Sequence, residues 1–427
     1  MKKLVILNLT LFTSLLLIAA IWLWTGQDRA DRTGPAGDSG QTAHTDEPKQ
    51  TTDPDAAPPN VDGDEKTETG EEAPEEQPSG TPPPTPSDEG TSDGSTGPSA
   101  AGDGNSGGDG AGGGEKVNLA FVGDLLLASS VAKQMELKGY DYPYAESLLY
   151  LSEPDITAGN LEFPVTSRGT PAENKQYVFK GAPEALPALK ESGFDVLSLA
   201  NNHTMDQGVE GLLDTIQHLN KAKLSHMGAG RNDQEAFSPV IKEAGGVKVA
   251  YIGLSKVVPT VEWKADKNKP GVAETYNTTR AIAAIKRASE QADVVVVMVH
   301  WGRENADQPE PYQRDFARQY IDAGADLVIG SHPHVLQGFE TYKGKWIAYS
   351  LGNFIFSVTP KGRSGETGVL DASCSKDGQC QLQFHPMQGA GAQPRPMEAA
   401  AAKALLTRLS SISFGVTLKN DGTLVTK

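Results

Sequence analysis

Between Gly26 and Glu115 the chain carries one large apolar residue, Val61, in ninety positions. Such a stretch cannot bury enough surface to offset the entropy of ordering it, so it is expected to be a disordered linker. Its composition is dominated by Gly, Pro, Ser, Thr, Asp and Glu, with a Pro-rich patch (Thr81–Pro86) and a Gly-rich end (Gly102–Gly114). It holds 21 acidic and four basic residues, so its net charge of −17 equals that of the whole 427-residue chain. From Lys116 onward 34 acids face 32 bases, and no basic run exists to displace counterions from a nucleic acid. Two cysteines in a chain of this length also exclude a disulfide-built scaffold. As a coil the linker would span on the order of 50 Å, further if stretched by charge and proline. It reads as a tether or a plain spacer, and no site is expected in it.

Ahead of the linker, Leu4–Trp24 is uncharged and long enough to cross a hydrocarbon core of about 30 Å. It follows Lys2 and Lys3 and ends near Trp22 and Trp24, residues suited to a membrane interface. The positive flank should stay in the cytoplasm and everything after Trp24 should lie outside. A cleaved signal peptide is the competing reading, but the run ends in Ala20-Ile21-Trp22-Leu23-Trp24 rather than in small residues. Three parts result. Residues 1–25 form a cytoplasmic flank and anchor, 26–115 a linker, and 116–427 one domain, with its core expected to run to about 390 and a helix and hairpin over 391–427.

In that domain short β-branched runs alternate with amphipathic stretches. Strands are expected over Val117–Val122, Asp195–Leu199, Val247–Leu254, Asp293–Val299 and Asp326–Ile329. Helices are expected over Ala185–Ser192, Val209–Lys221, Thr278–Gln291 and Tyr312–Ala323. The alternation implies an α/β fold with mixed sheets. Hairpins should follow over Phe339–Ile347 and Val369–Phe384, then a helix (Pro396–Ser410) and a short hairpin (Val416–Val425).

Five apolar runs end, at their carboxyl ends, in residues able to bind metal or move protons. These are Gly123-Asp124; Gly159-Asn160-Leu161-Glu162; Asn201-Asn202-His203, with Asp206 beyond; His300-Trp301-Gly302-Arg303-Glu304; and Ser331-His332-Pro333-His334. Ligands of open α/β sheets sit outside the carboxyl ends of strands, so five such ends can share one crevice. Each cluster has a bland alternative: a turn at Gly123-Asp124, a solvated charge at Glu162, an Asx-turn at Asn201-Asn202-His203, a core histidine at His300. His332 and His334, two apart on extended backbone, would point to one side, and paired imidazoles suit Zn, Mn or Fe. A single centre explains all five ends together. Arg303, Glu304 and Asp206 would then contact substrate or support the ligands, unless they form plain ion pairs. Asn160 and Asn201 are candidates for the same supporting role. His44, His218, His226 and His385 have no partner at ligand spacing.

The two cysteines fall in the second hairpin. A three-residue loop, Lys376-Asp377-Gly378, would place Cys374 opposite Cys380 within disulfide range. A two-residue Asp377-Gly378 turn would instead pair Cys374 with Gln381. Because the domain is expected outside the cell, a disulfide is predicted.

The stretches FVGDLLL (Phe121–Leu127), GNLEFPVT (Gly159–Thr166), SLANNHTMDQG (Ser198–Gly208), HWGRE (His300–Glu304), GADLVIGSHPHVLQ (Gly324–Gln337) and SLGNFIF (Ser350–Phe356) resemble the CapA family of bacterial capsule or poly-γ-glutamate synthesis proteins. That family in turn resembles the calcineurin-like metallophosphoesterases. The resemblance implies a four-layer α-β-β-α sandwich of two mixed sheets and one or two divalent ions, Mn, Fe or Zn. Asp124, Glu162, Asn202, His300, His332 and His334 would be its ligands, with Glu162 as the bridging carboxylate and His203 as the histidine assisting the leaving group. Two positions depart from the phosphoesterase pattern: Leu126 stands where a histidine is usual, and the bridging residue is Glu rather than Asp.

The function so implied is that of a single-pass cell-membrane protein, held by residues 4–24, with its C-terminal domain outside the cytoplasm. It would act in capsule or poly-γ-glutamate synthesis or export, on an anionic surface polymer and with other membrane proteins of that pathway. The alternative is a metal-dependent, phosphoesterase-like hydrolase acting on a cell-surface substrate. A nucleic-acid partner is not expected.

Overall fold

The sequence Val-Val-Val-Val-Met-Val-His, residues Val294–His300, is buried at every position. A strand of β-branched residues without polar alternation belongs between two packed layers, and the architecture follows from that. The computed structural model describes residues 115–427. The expected membrane segment 4–24 and the linker up to residue 114 lie outside the described residues. Among the described residues no helix is long and apolar enough to cross a membrane.

The first sheet has eight strands. β1 (Lys116–Leu125), β2 (Ile156–Leu161), β3 (Phe194–Ser198) and β4 (Ser225–Met227) run parallel to one another. On its other side β1 meets β13 (Asn353–Ile355) in parallel and β14 (Glu366–Ser375) in antiparallel register. β15 (Cys380–Ala390) and β16 (Gln393–Pro396) complete that side. The second sheet has six strands. β7 (Val247–Ser255), β9 (Val294–His300), β10 (Leu327–Ser331) and β12 (Lys345–Ala348) are parallel, and β6 (Val240–Ala244) and β11 (Phe339–Tyr342) pair antiparallel at its two edges. Two small ribbons remain, β5 (Ala229–Gly230) with β8 (Gly271–Val272) and β17 (Val416–Leu418) with β18 (Leu424–Thr426).

Side-chain alternation assigns the layers. Leu119 and Phe121 of β1 face Val296 and Met298 of β9 in a core between the sheets. Val122 and Leu125 face outward onto Val131, Leu189, Leu212 and Ile216, which come from the helices Ser129–Lys138, Leu186–Glu191 and Gly208–Lys221. Val295 and Val297 face Ala284, Ile285, Ala317 and Tyr320 of the helices Thr279–Ser289 and Pro311–Asp322. The order is helix, sheet, sheet, helix.

Residues after 390 are more integral than a terminal appendage. β16 extends the first sheet, and Leu405, Leu406 and Leu409 of the helix Ala399–Ile412 join the central core. The hairpin near Lys343-Gly344 has a two-residue turn in which both residues have positive φ, the form whose twist matches the strands. The hairpin between β14 and β15 has a three-residue loop closed by Gly378 at φ 74°. Cys374 pairs with Cys380 across it, their Cα atoms 4.1 Å apart and joined by a disulfide.

Candidate metal centre

β1, β2 and β3 of the first sheet and β9 and β10 of the second end on the same side of the molecule. The ends expected to share one crevice come from the two sheets, brought together by the core between them. Asp124, at the end of β1, is fully buried. Its Oδ1 accepts from Asn160 Nδ2 at 2.8 Å, and its Oδ2 accepts from the His332 backbone N–H at 3.3 Å. His334 Nδ1 lies 3.5 Å from the same oxygen. Burial alone would raise the Asp124 pKa, but the hydrogen bond and charge of His334, with the Asn160 amide, hold it below the ordinary carboxylate value.

His300 closes β9 and gathers donors from both sheets. Its Nε2 lies 2.8 Å from Asn202 Oδ1, 3.1 Å from His332 Nδ1 and 3.5 Å from Glu162 Oε1. Its Nδ1 lies 3.0 Å from Ser331 Oγ and 3.3 Å from Asn160 Nδ2. Burial, then the charges of the neighbouring histidines, push its pKa well down, so the ring is neutral, the form that binds metal. His332 is pushed down to about 3 by burial and then by His334. His334 goes the other way, up to about 10: burial opposes its charge, but Glu162 and then Asp124 outweigh it.

Glu162, just past β2, is fully buried and both its carboxylate oxygens lack a hydrogen-bond partner among the described residues. Burial and then the Asp124 charge drive its pKa well above the usual range. An ionised carboxylate buried without a partner costs several kcal/mol in real proteins. The donor atoms answer that cost. Asp124, Glu162 and His300 lie within 4.8 Å of one another, as do Glu162, His332 and His334. The two groups share Glu162, so the residues present fit one divalent ion or a pair bridged by that carboxylate.

The histidine pair departs from expectation in backbone while agreeing in direction. His332 and His334 are not extended; their φ values are 97° and 58°. Left-handed backbone at non-glycine residues costs on the order of 1–3 kcal/mol each and is held only by surrounding structure. The turn around Pro333 brings the two rings within 5.9 Å, a convergence that strand alternation does not provide here.

Asn201 makes the Asx-turn: its Oδ1 accepts from the His203 backbone N–H at 3.0 Å, while its Nδ2 donates to Asn160 Oδ1 and Leu161 O. That turn sends Asn202 to His300 and His203 aside. His203 Nδ1 lies 2.7 Å from Asp206 Oδ2, and its ring packs on Phe179 at 4.6 Å. Burial lowers its pKa against the pull of Asp206. Arg303 points away, its side chain 76% exposed and paired with Glu310 at 3.2 Å, so it takes the plain ion-pair alternative. Glu304 is exposed, yet its charge reaches Glu162 and His334. Leu126 is buried in the outer core and offers no ligand.

Sequence reasoning missed two residues. Lys175, on an irregular loop, donates to Asn202 O at 2.6 Å, lies 2.8 Å from His203 Nδ1 and is ion-paired with Asp206. No local pattern marks it. Asn353 starts β13 opposite Asp124, and its Oδ1 lies 2.8 Å from His334 Nδ1. The signal available was an asparagine set between Leu351 and Phe354 in an otherwise apolar run. Away from the centre, His385 pairs with Asp371, His218 lies near Asp214, and His226 sits within β4.

Comparison with known proteins adds a lineage. The chain is 34% identical to the capsule biosynthesis protein CapA of Bacillus anthracis over 296 residues, 68% of this chain and 71% of that protein. It is 34% identical to the PGA biosynthesis protein CapA of Bacillus subtilis (strain 168), covering 72% of this chain and 81% of that one. A probable polyglutamine synthesis accessory protein of Mycobacterium tuberculosis is 30% identical, over 56% of this chain and 67% of its own length. Among solved structures, the NAD nucleotidase of Haemophilus influenzae aligns over 70% of this chain and 63% of its own at 12% identity and a TM-score of 0.39, a likeness too distant to carry an argument. The model of the bacterial capsule synthesis protein PGA_cap matches residues 118–358, which span all five candidate strand ends, and the chain belongs to that family.

Proposed function

We propose that the protein is an anchored, outward-facing component of capsule or poly-γ-glutamate synthesis or export, working through a divalent metal centre at the strand ends. One observation carries the metal: Glu162, fully buried with neither oxygen hydrogen-bonded, shared by two donor groups. Asp124, Glu162, Asn202, His300, His332 and His334 would hold one or two ions, Mn, Fe or Zn by the mixture of imidazole and carboxylate. A bound ion would supply Lewis-acid polarisation and lower the pKa of bound water. The chain's own residues arrange the rest. Asn160 orients Asp124, Asn353 orients His334, and Ser331 steers the His300 ring. The membrane segment 4–24 would keep the domain at the surface where an anionic polymer emerges beside other membrane proteins of the pathway.

A metal-dependent hydrolase is the second reading, favoured by His203. Asp206 holds its Nδ1, and Lys175 balances the Asp206 charge, an arrangement that leaves Nε2 able to hold or release a proton. Purified full-length protein loaded with Mn is expected to cleave or transfer γ-linked glutamyl chains or model phosphodiesters. His203→Ala should abolish that turnover with metal content unchanged, as elemental analysis would read. Absence of bound metal from the wild-type protein after Mn, Fe and Zn loading would overturn the metal reading.

A further inference from the structure

Aromatic rings hold three lysines beside the metal centre. Lys175, which contacts His203, has its Nζ 5.2 Å from the centre of the Trp263 ring. The next residue along, Lys264, places its Nζ 4.3 Å from the Tyr276 ring. Lys256 sits over the same ring at 4.1 Å and over Tyr312 at 5.1 Å. Lys256 directly follows β7, and its backbone N–H donates to the His300 carbonyl at 2.8 Å, so this pair borders a ligand-bearing strand end. Tyr312 is fixed there too, its hydroxyl accepting from the Gly302 N–H at 2.7 Å.

The Tyr276 platform is rigid. Its backbone N–H donates to Glu274 Oε2 at 2.8 Å, and its hydroxyl accepts from the Val258 N–H at 3.1 Å. The ring face attracts each ammonium, but two like charges on one ring repel. Neither ammonium has a hydrogen-bonded or ion-paired acceptor among the described residues. The local carboxylates are committed elsewhere: Glu274 pairs with Arg280 at 2.8 Å, and Glu262 bonds Thr260. Glu274 acts on Lys256 only at a distance, and a half-exposed pair of ammonium groups without direct ion pairs beside a ligand-bearing strand end calls for anions.

We propose that Lys256 and Lys264, carried on Tyr276, form a subsite that takes neighbouring carboxylates of a polyanionic chain. The inference rests on the poly-γ-glutamate reading above and names the residues that would hold the polymer. Two separate ammonium groups act as point charges that attract any anion, and it is the poly-γ-glutamate reading that supplies the carboxylates.

The test is calorimetric binding of poly-γ-glutamate, polyphosphate and neutral dextran to the full chain, with K256Q/K264Q and K256R/K264R beside wild type. The glutamine pair should weaken poly-γ-glutamate binding about tenfold and flatten its salt dependence. The arginine pair should retain both, metal content should not change, and dextran should not bind. K264Q alone carries the test should the double variant not fold. Unchanged poly-γ-glutamate binding by K256Q/K264Q overturns the subsite while leaving the functional reading intact. Binding of polyphosphate alone, lost in the glutamine variant, keeps an anion subsite but overturns the carboxylate assignment and the poly-γ-glutamate reading. No polyanion binding by wild type overturns the subsite outright.

Discussion

β1 passes between two environments that are equally buried and opposite in chemistry. At its amino end Val117 pairs with Cys374, both fully buried among apolar residues, and the disulfide to Cys380 closes the hairpin beyond. At its carboxyl end Asp124 pairs with Asn353 and faces Glu162, His300, His332 and His334. Burial at the first end stabilises, at about 25 cal/mol per Å² of apolar surface. Burial at the second end costs, because carboxylates and imidazoles lose water and Glu162 gains no hydrogen bond. Stability and chemical potential are thus separated along one strand, and the polar end is held in place by the apolar one.

The largest effect should come from breaking the polar end at its shared carboxylate. Glu162→Gln is expected to weaken metal binding by more than about a hundredfold. In the metal-free protein burial disfavours the Glu162 charge, and the neutral amide avoids that penalty, so the same change should alter unfolding free energy by less than about 1 kcal/mol. Metal content and urea denaturation read the two quantities separately, and full metal occupancy in the variant would end the shared-ligand reading.

Acid should act on the same end next most strongly. In the metal-free protein the Glu162 and Asp124 charges push the His334 pKa up to about 10, so His334 holds its proton across the neutral range. Binding an ion must expel protons, so affinity should fall about tenfold per pH unit for each proton expelled. The stability sign is separate. A raised histidine pKa stabilises fully below about 6.5 and loses that contribution as pH rises toward about 10. The metal-free protein should therefore weaken over that window, and the loaded protein should not. Titration calorimetry in buffers of differing ionisation enthalpy would count the protons; a count of zero contradicts the scheme.

At the apolar end the effect is smaller and purely structural. Because the disulfide closes a short loop, Cys374→Ser with Cys380→Ser should cost on the order of 2 kcal/mol. Metal affinity should stay unchanged, so a loss of metal would show that the two ends are coupled. Smallest of all is Arg303→Ala: with the side chain 76% exposed and bound only to Glu310, no measurable change in metal affinity is expected.

Much of both ends was legible along the chain, for reasons that differ. The hairpin was readable because Asp377-Gly378 marks a turn, and of the two loop lengths it allows the structure has the three-residue one that sets Cys374 opposite Cys380. The candidate strand ends were readable because polar residues follow directly on β-branched runs there. The geometry of His332 and His334 was not, since positive φ at non-glycine residues is uncommon and no spacing along the chain marks it. Lys175 was invisible because its loop has no periodicity, and Arg303 stood in a site motif yet turned outward to Glu310.

The sequence by itself marked the long β-branched strands, the main amphipathic helices and the polar residues at the strand ends, and it narrowed the cysteine hairpin to two loop lengths, since each follows from short-range sterics, patterning or turn chemistry. Tertiary structure decided that β1–β3 and β9–β10 belong to different sheets, packed face to face so that their carboxyl ends converge. It also decided that Glu162 has no hydrogen-bond partner among the described residues and that the residues after 390 complete the core. Those outcomes depend on which apolar faces pack together, and alternation along a strand states that a face is apolar without saying against what it will be buried.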